Sequence, residues 1–209
     1  KDDFYKIIKF IGRKNILDAL EFFYRFKENK LKEKEVCFTF DDGIRCQYDI
    51  ALPVMEDFKI KSFFFVYSSL LDKEPDMLEI YRYFRMNFFK DINDFYKEYF
   101  ENLDKDLEIF FKNQDKKINE IKKKFPHYSF NDIKFRLIRD KLLTAEEYKI
   151  SMLRMFDKHK FNHKEYHETL FLSPEHLRKI KKLGHLIGLH SHSHPTVIEN
   201  MSYKEQLEQ

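Results

Sequence analysis

Val36-Cys37-Phe38-Thr39-Phe40-Asp41-Asp42-Gly43 is the stretch that sets the fold class of this chain. Its first five residues are apolar but for Thr39 and rich in β-formers. They read as a fully buried strand, the kind that occupies the interior of a parallel sheet. Two acids and a glycine then stop the run abruptly. Beyond them, about Gln47–Phe58 predicts a helix that Pro53 either kinks or starts. Lys61-Ser62-Phe63-Phe64-Phe65-Val66-Tyr67 predicts a second buried strand. Strand, helix and strand in so short a span make the βαβ unit of a parallel sheet. Upstream, the charged run Lys27–Glu35 separates the first strand from residues 4–26, where Phe4, Ile7, Ile8, Ile11, Ile16, Leu17, Leu20 and Phe23 follow helical spacing.

Residues 76–165 change character, with no glycine and no strand-like run. Phe88, Ile92, Phe95 and Tyr99 fall on one helical face. Thr144-Ala145-Glu146-Glu147 matches a capping box that opens another helix carrying Tyr148, Met152, Met155 and Phe156. This region is predicted to be a helical insertion without repeats. The α/β pattern resumes at Ser173-Pro174, an N-cap with proline at the first helical position, and Gly184 is placed to end that helix. His185–His190 predicts a third buried strand, followed by the loop Ser191-His192-Ser193-His194-Pro195. Ser202 caps a last helix over Met201–Gln209. The expected organisation is therefore 1–75, an N-terminal helix and the first βαβ unit; 76–165, the insertion; and 166–209, the return of the first domain.

The chain has 209 residues, 39 Lys and Arg against 36 Asp and Glu, a net charge of +3, with 43% hydrophobic residues. Interspersed charge of both signs excludes the one-sided basic stripe of a dedicated nucleic-acid binder. No apolar run is long enough to span a membrane, which takes about 20 residues. There are 24 Phe and 12 Tyr but only 4 Gly, which predicts much helix and few tight turns. Cys37 and Cys46 cannot make a disulfide framework; Cys37 is expected in the core and Cys46 to be incidental. No apolar signal segment follows Lys1, and both ends read as cut, so a cytoplasmic or membrane-peripheral location is expected only if the N-terminus is native.

The chemistry sits at Asp41-Asp42 and His190–His194, each immediately after a predicted buried strand. In parallel α/β folds that carboxyl edge is where active sites form, so strands of one sheet would bring the two motifs together. Two imidazoles and one carboxylate leave an open position for water on a catalytic zinc, and a second, unligated carboxylate can accept the water's proton. In a helical or one-turn loop His190 and His194 share a side and His192 points away; in an extended strand all three share a face. We take the His190/His194 pair as the ligands. Blander readings stand beside this one: Asp-Asp-Gly as a plain turn, and the histidine run as a solvated or adventitious metal-binding loop.

At these residues the sequence resembles the polysaccharide deacetylase (NodB-homology, carbohydrate esterase 4) family. Thr39–Gly43 matches its first motif, TFDDG, and His190–Pro195 its second, H-[S/T]-x-x-H followed by proline. Tyr48–Met55, Phe63–Val66 and Leu172–Leu189 resemble the flanking segments. The resemblance implies a distorted (β/α) barrel, only partly present. It also implies Asp41 as catalytic base and Asp42, His190 and His194 as ligands of a divalent metal, usually zinc. The implied activity is hydrolysis of N-acetyl groups on an amino-sugar polysaccharide or its lipid-linked precursor. The family's downstream motifs, including the histidine acid, have no counterpart before Gln209. His127, His159, His163, His167, His176 and His185 carry no mark of a replacement. The insertion leaves from a strand's carboxyl end, which places it as a cap at the mouth of the site, or as a body whose aromatics form their own core or an oligomer contact. Two alternatives remain: a deformylase or amidase on a small molecule, and a non-catalytic glycan-binding remnant. Lys122–Lys124 and Arg178–Lys182 leave peripheral membrane contact open beside the plainer reading of a solvated face. Oligomeric state is not legible.

Overall fold

A computed structural model describes residues 1–72, 77–195 and 198–209. Residues 2–27 form two helices rather than one: α1 (Asp2–Ile11) and α2 (Ala19–Lys27). Gly12, at φ 83°, carries the break. Apolar spacing alone cannot show such a break, because the same face continues across it. Asp18 precedes α2 and ties it to the sheet, its Oδ1 accepting from Lys61 N–H at 2.8 Å.

Strand β1 is only Thr39–Phe40, shorter than the predicted pentamer. Val36 instead bridges Ile16 in parallel, outside the sheet proper. A π-helical turn at Gln47–Ala51 leads into α3 (Leu52–Asp57), with Pro53 in its first turn, where a missing N–H costs nothing. Strand β2 (Phe63–Val66) runs parallel to β1, with Thr39 opposite Phe63.

Among the described residues the α-helices that follow are α4 (Met77–Asn87), α5 (Ile92–Glu101), α6 (Leu107–Phe111), α7 (Asp115–Lys124), α8 (Phe130–Leu137) and α9 (Ala145–Lys158). Phe88 does not share a helix with Ile92, Phe95 and Tyr99, because Asp91 caps α5 through Asn93 N–H and the chain turns before it. The Thr144/Glu147 capping box opens α9. After α10 (His167–Leu170), α11 (Pro174–Lys182) starts at the Ser173 cap and ends before Gly184 at φ 90°. Strand β3 (Leu186–Leu189) pairs parallel with β2 but is not the buried strand expected, because it is an edge of the sheet and leaves Leu189 83% exposed; α12 (Tyr203–Leu207) begins at Ser202.

The sheet has three strands among the described residues, in the order β1-β2-β3. Among the described residues the fold is mixed α/β, mostly helical, and the expected barrel does not appear. Gly188 on β3 lies opposite Phe65, and a Cβ there would stand 2.5 Å from the Phe65 ring. The chain separates into two compact units, Lys1–Asp76 with Glu165–Gln209, and Met77–Lys164. The expected boundary at 75 and 76 lies outside the described residues.

In the first unit Ile8, Ile16, Val54, Met55, Ile60, Phe64 and Ile180 form the core between helices and sheet. Cys37 is half-buried rather than in that core, and burial pushes its thiol up; Cys46 is exposed. His185, fully buried at the start of β3, accepts from Ser62 N–H through Nδ1 at 3.1 Å and lies 3.3 Å from Glu56 Oε1 through Nε2. Accepting at Nδ1 puts the neutral ring's proton on Nε2. The second unit packs aromatic on aromatic: Phe84, Phe95, Phe135, Phe156 and Phe161 are buried, with Phe84 and Phe156 ring centres 4.9 Å apart. No helix among the described residues is long and apolar enough to cross a membrane.

Candidate metal centre

Because the three strands are parallel, their carboxyl ends share one edge. Asp41 and Asp42 follow β1, Tyr67 and Ser68 follow β2, and His190 follows β3. His190 N–H continues the ladder by donating to Val66 O at 3.0 Å.

The turn after β1 needs two successive residues at positive φ, Asp42 at 72° and Gly43 at 62°. Asp tolerates this region better than most residues and Gly tolerates it best. A Cβ at Gly43 would also meet Leu70 Cδ2 at 2.9 Å. Gln47 pins the turn from beneath, its Nε2 donating to Asp41 O. Asp-Asp-Gly is therefore a tight turn, and the turn itself is what directs Asp42 toward the histidines.

Asp42, His190 and His194 each offer a ligand atom, and the three atoms lie within 4.8 Å of one another. His190 Nε2 is 3.3 Å and His194 Nε2 3.1 Å from Asp42 Oδ1. All three side chains are partly exposed, between 20% and 38%. Two imidazole nitrogens and a carboxylate oxygen, close together and partly exposed, form a donor set that fits a divalent cation, which in catalytic sites keeps a position for a further ligand. Asp41 is exposed and stands outside this cluster. His192, central in the histidine run, is also outside it: its Nδ1 lies 2.9 Å from Ser68 Oγ.

Ser68, Tyr67 and Gln47 were not singled out from the sequence. Ser68 and Tyr67 carried a usable signal, since they follow β2 at the same edge as both motifs. Gln47 carried none, because its role depends on the π-helical turn. His127, His159 and His163 belong to the second unit and His185 to the sheet's opposite end, so none of them joins the cluster. His176 caps α11, where burial lowers its pKa.

Beside the turn lies a cavity of about 310 Å³, lined by Arg45, Leu70, His167, Glu168, Phe171 and Ser173 among others. Its wall is tied to the turn by Leu172 N–H donating to Gly43 O at 2.8 Å and by a bridge between Ile44 and Phe171.

Residues 28–84 match the family model of polysaccharide deacetylase. That span holds β1, the Asp41–Gly43 turn, α3 and β2, the strand–turn–helix–strand core that positions the first motif. Over those residues the chain is similar to part of a polysaccharide deacetylase domain of the NodB type. The matched segment stops well short of His190, so the histidine motif rests on its own geometry. No curated protein and no solved structure matches the chain.

Proposed function

We propose that the protein is a metal-dependent hydrolase that removes N-acetyl groups from an amino-sugar polysaccharide or its lipid-linked precursor. The observation that carries this reading is the convergence of Asp42, His190 and His194 at one sheet edge, beside a free-standing Asp41. Asp42, His190 and His194 would hold the cation, zinc being the family's usual choice. When bound, such a cation lowers the pKa of water towards about 7 and polarises an amide carbonyl.

The chain's own residues supply the rest. Asp41, exposed and outside the ligand cluster, accepts the proton of the attacking water. Gln47, bonded to the Asp41 carbonyl, keeps that carboxylate's backbone fixed while its side chain stays free to turn toward substrate. Hydrolysis breaks the amide C–N bond, leaving acetate and a free amine that takes up a proton. The Arg45–Phe171 cavity supports a sugar ring near this centre, because Phe171 offers an apolar face while Arg45 and Glu168 offer groups for hydroxyls.

The test is metal content and acetate release on N-acetylglucosamine oligosaccharides. Folded wild type is expected to hold one equivalent of divalent metal, lost in Asp42→Ala and His194→Ala. Asp41→Asn is expected to keep the metal and lose acetate release by at least about 100-fold. A folded wild type without metal affinity overturns the reading. Metal uptake with N-formyl but no N-acetyl hydrolysis would move the activity to a deformylase.

A further inference from the structure

We infer that Ser68 and His192 form a positioning pair that locks the His190–His194 loop into its metal-ready shape. This rests on the metal-centre reading given above. The sequence leaves His192 as a possible ligand, since an extended run would put it on one face with His190 and His194. The structure gives it another partner. Ser68 Oγ lies 2.9 Å from His192 Nδ1. The backbone repeats the link twice: Ser68 N–H donates to Ser191 O at 3.1 Å, and Ser69 N–H donates to His192 O at 2.9 Å. Three bonds from the end of β2 thus grip two consecutive residues between the two candidate ligands. Tyr67, next to Ser68 and fully buried, stacks its ring on that of His194, with centres 5.4 Å apart and planes 13° from parallel.

The loop needs such a grip. Ser191 stands at φ 65° and His194 at φ 56°, both in the left-handed region and neither a glycine. Residues in that region hold it only where the surroundings over-determine them. These two flips bracket His192 and turn the chain so that His190 and His194 face Asp42 together. The Ser68–His192 contact is made by side chains, whereas the two bonds from Ser68 N–H and Ser69 N–H run through the backbone. It is therefore one that a sequence can tune without changing the sheet.

The experiment measures Zn²⁺ affinity of the metal-free chain by calorimetry and the visible absorption of its Co²⁺ form. Ser68→Ala and His192→Ala are each expected to weaken Zn²⁺ by about 10–100-fold. Each should also alter the Co²⁺ spectrum while far-UV circular dichroism stays that of wild type. The double variant should be no weaker than either single one, because both remove the same contact. Ser68→Thr keeps the hydroxyl and should restore the affinity and the spectrum. Unchanged affinity and spectrum in folded Ser68→Ala would overturn the inference and leave the metal-centre reading intact. So would losses that add in the double variant, or a His192→Ala loss with Ser68→Ala unaffected, which would make His192 a ligand. A folded wild type that takes up neither metal overturns both readings.

Discussion

The two units of this chain differ in where they place unfavourable backbone. Six residues other than glycine have positive φ among those described: Asn29, Asp42, Lys59, Lys160, Ser191 and His194. Asn29, Lys59 and Lys160 each come just after a helix, where a left-handed residue closes the last turn. The other three lie in the two loops that carry the candidate ligands. Helix stops are ordinary, and the second unit has only that kind among its described residues. The first unit concentrates its strain where its chemistry is proposed, and the second spends its sequence on stable packing. Each of the following variants presses on one side of that contrast.

The largest effect is expected in the second unit. Phe84 is fully buried, and its ring meets those of Phe95, Phe156 and Phe161 within 6.4 Å. Phe84→Ala removes the centre of that cluster and should lower unfolding free energy by about 3–5 kcal/mol. Urea unfolding with hydrogen exchange resolved over residues 77–164 reads it. A loss below about 1 kcal/mol would mean the rings do not hold this unit together.

Next comes the sheet. Gly188→Ala puts a methyl 2.5 Å from Phe65 Cδ1 and should cost about 1–3 kcal/mol through overpacking. In a Phe65→Ala background the same substitution should cost little, since the ring it meets is gone. Equal costs in both backgrounds would place the strain in the β3 backbone itself. Thermal unfolding of the four proteins decides between these.

How much of this was legible in the sequence follows from the physics of each element. Apolar runs announce parallel strands, so β1, β2 and β3 were found, each shorter than expected; burial was misread for β1 and β3, which are the edges of the described three-stranded sheet, Leu189 being 83% exposed. Caps rely on local hydrogen bonds, so Ser173, Thr144 and Ser202 were readable in place. The break at Gly12 was missed because an apolar face can continue across two helices, and Phe88 was misplaced for the same reason. Asp42, His190 and His194 were proposed from motif and strand position. The Ser68–His192 contact was not, because it joins residues far apart in sequence through a side chain that carries no chemistry of its own.

A smaller effect should appear on acidification, and it sharpens the contrast between units. Burial lowers the pKa of His185 below the usual 6.5; Glu56 and Asp18 oppose that shift and Lys61 reinforces it. Burial also lowers His176 in the first unit and His163 in the second. A lowered folded-state value means that the native state binds fewer protons than the unfolded chain in the window just below 6.5. Stability is therefore full above 6.5 and falls as pH drops through that window. His185 is the one fully buried, so the first unit should lose more. His185→Asn keeps an acceptor for Ser62 N–H and should flatten the urea midpoint between pH 5 and 7. An unchanged profile would shift the acid sensitivity to His176.

The smallest effect tests the contrast most directly. Asp42→Ala and Asp42→Gly remove the same carboxylate, yet only glycine sits at φ 72° without steric cost. If the turn keeps its shape without the carboxylate, Asp42→Gly should be more stable than Asp42→Ala by about 1 kcal/mol in chelator-treated protein. Lys160→Gly, at a helix stop with φ 53°, should gain a similar amount over wild type, up to about 1 kcal/mol. A gain at Lys160 with no difference at Asp42 would show that the turn relaxes once the carboxylate leaves. The strain would then be held by Asp42's own contacts with His190 and His194, and not by Gln47 beneath the turn or Leu70 against Gly43. A difference at both positions would instead mean that the first unit builds its strained turn before any ligand is in place, as a helix stop is built by the helix it ends.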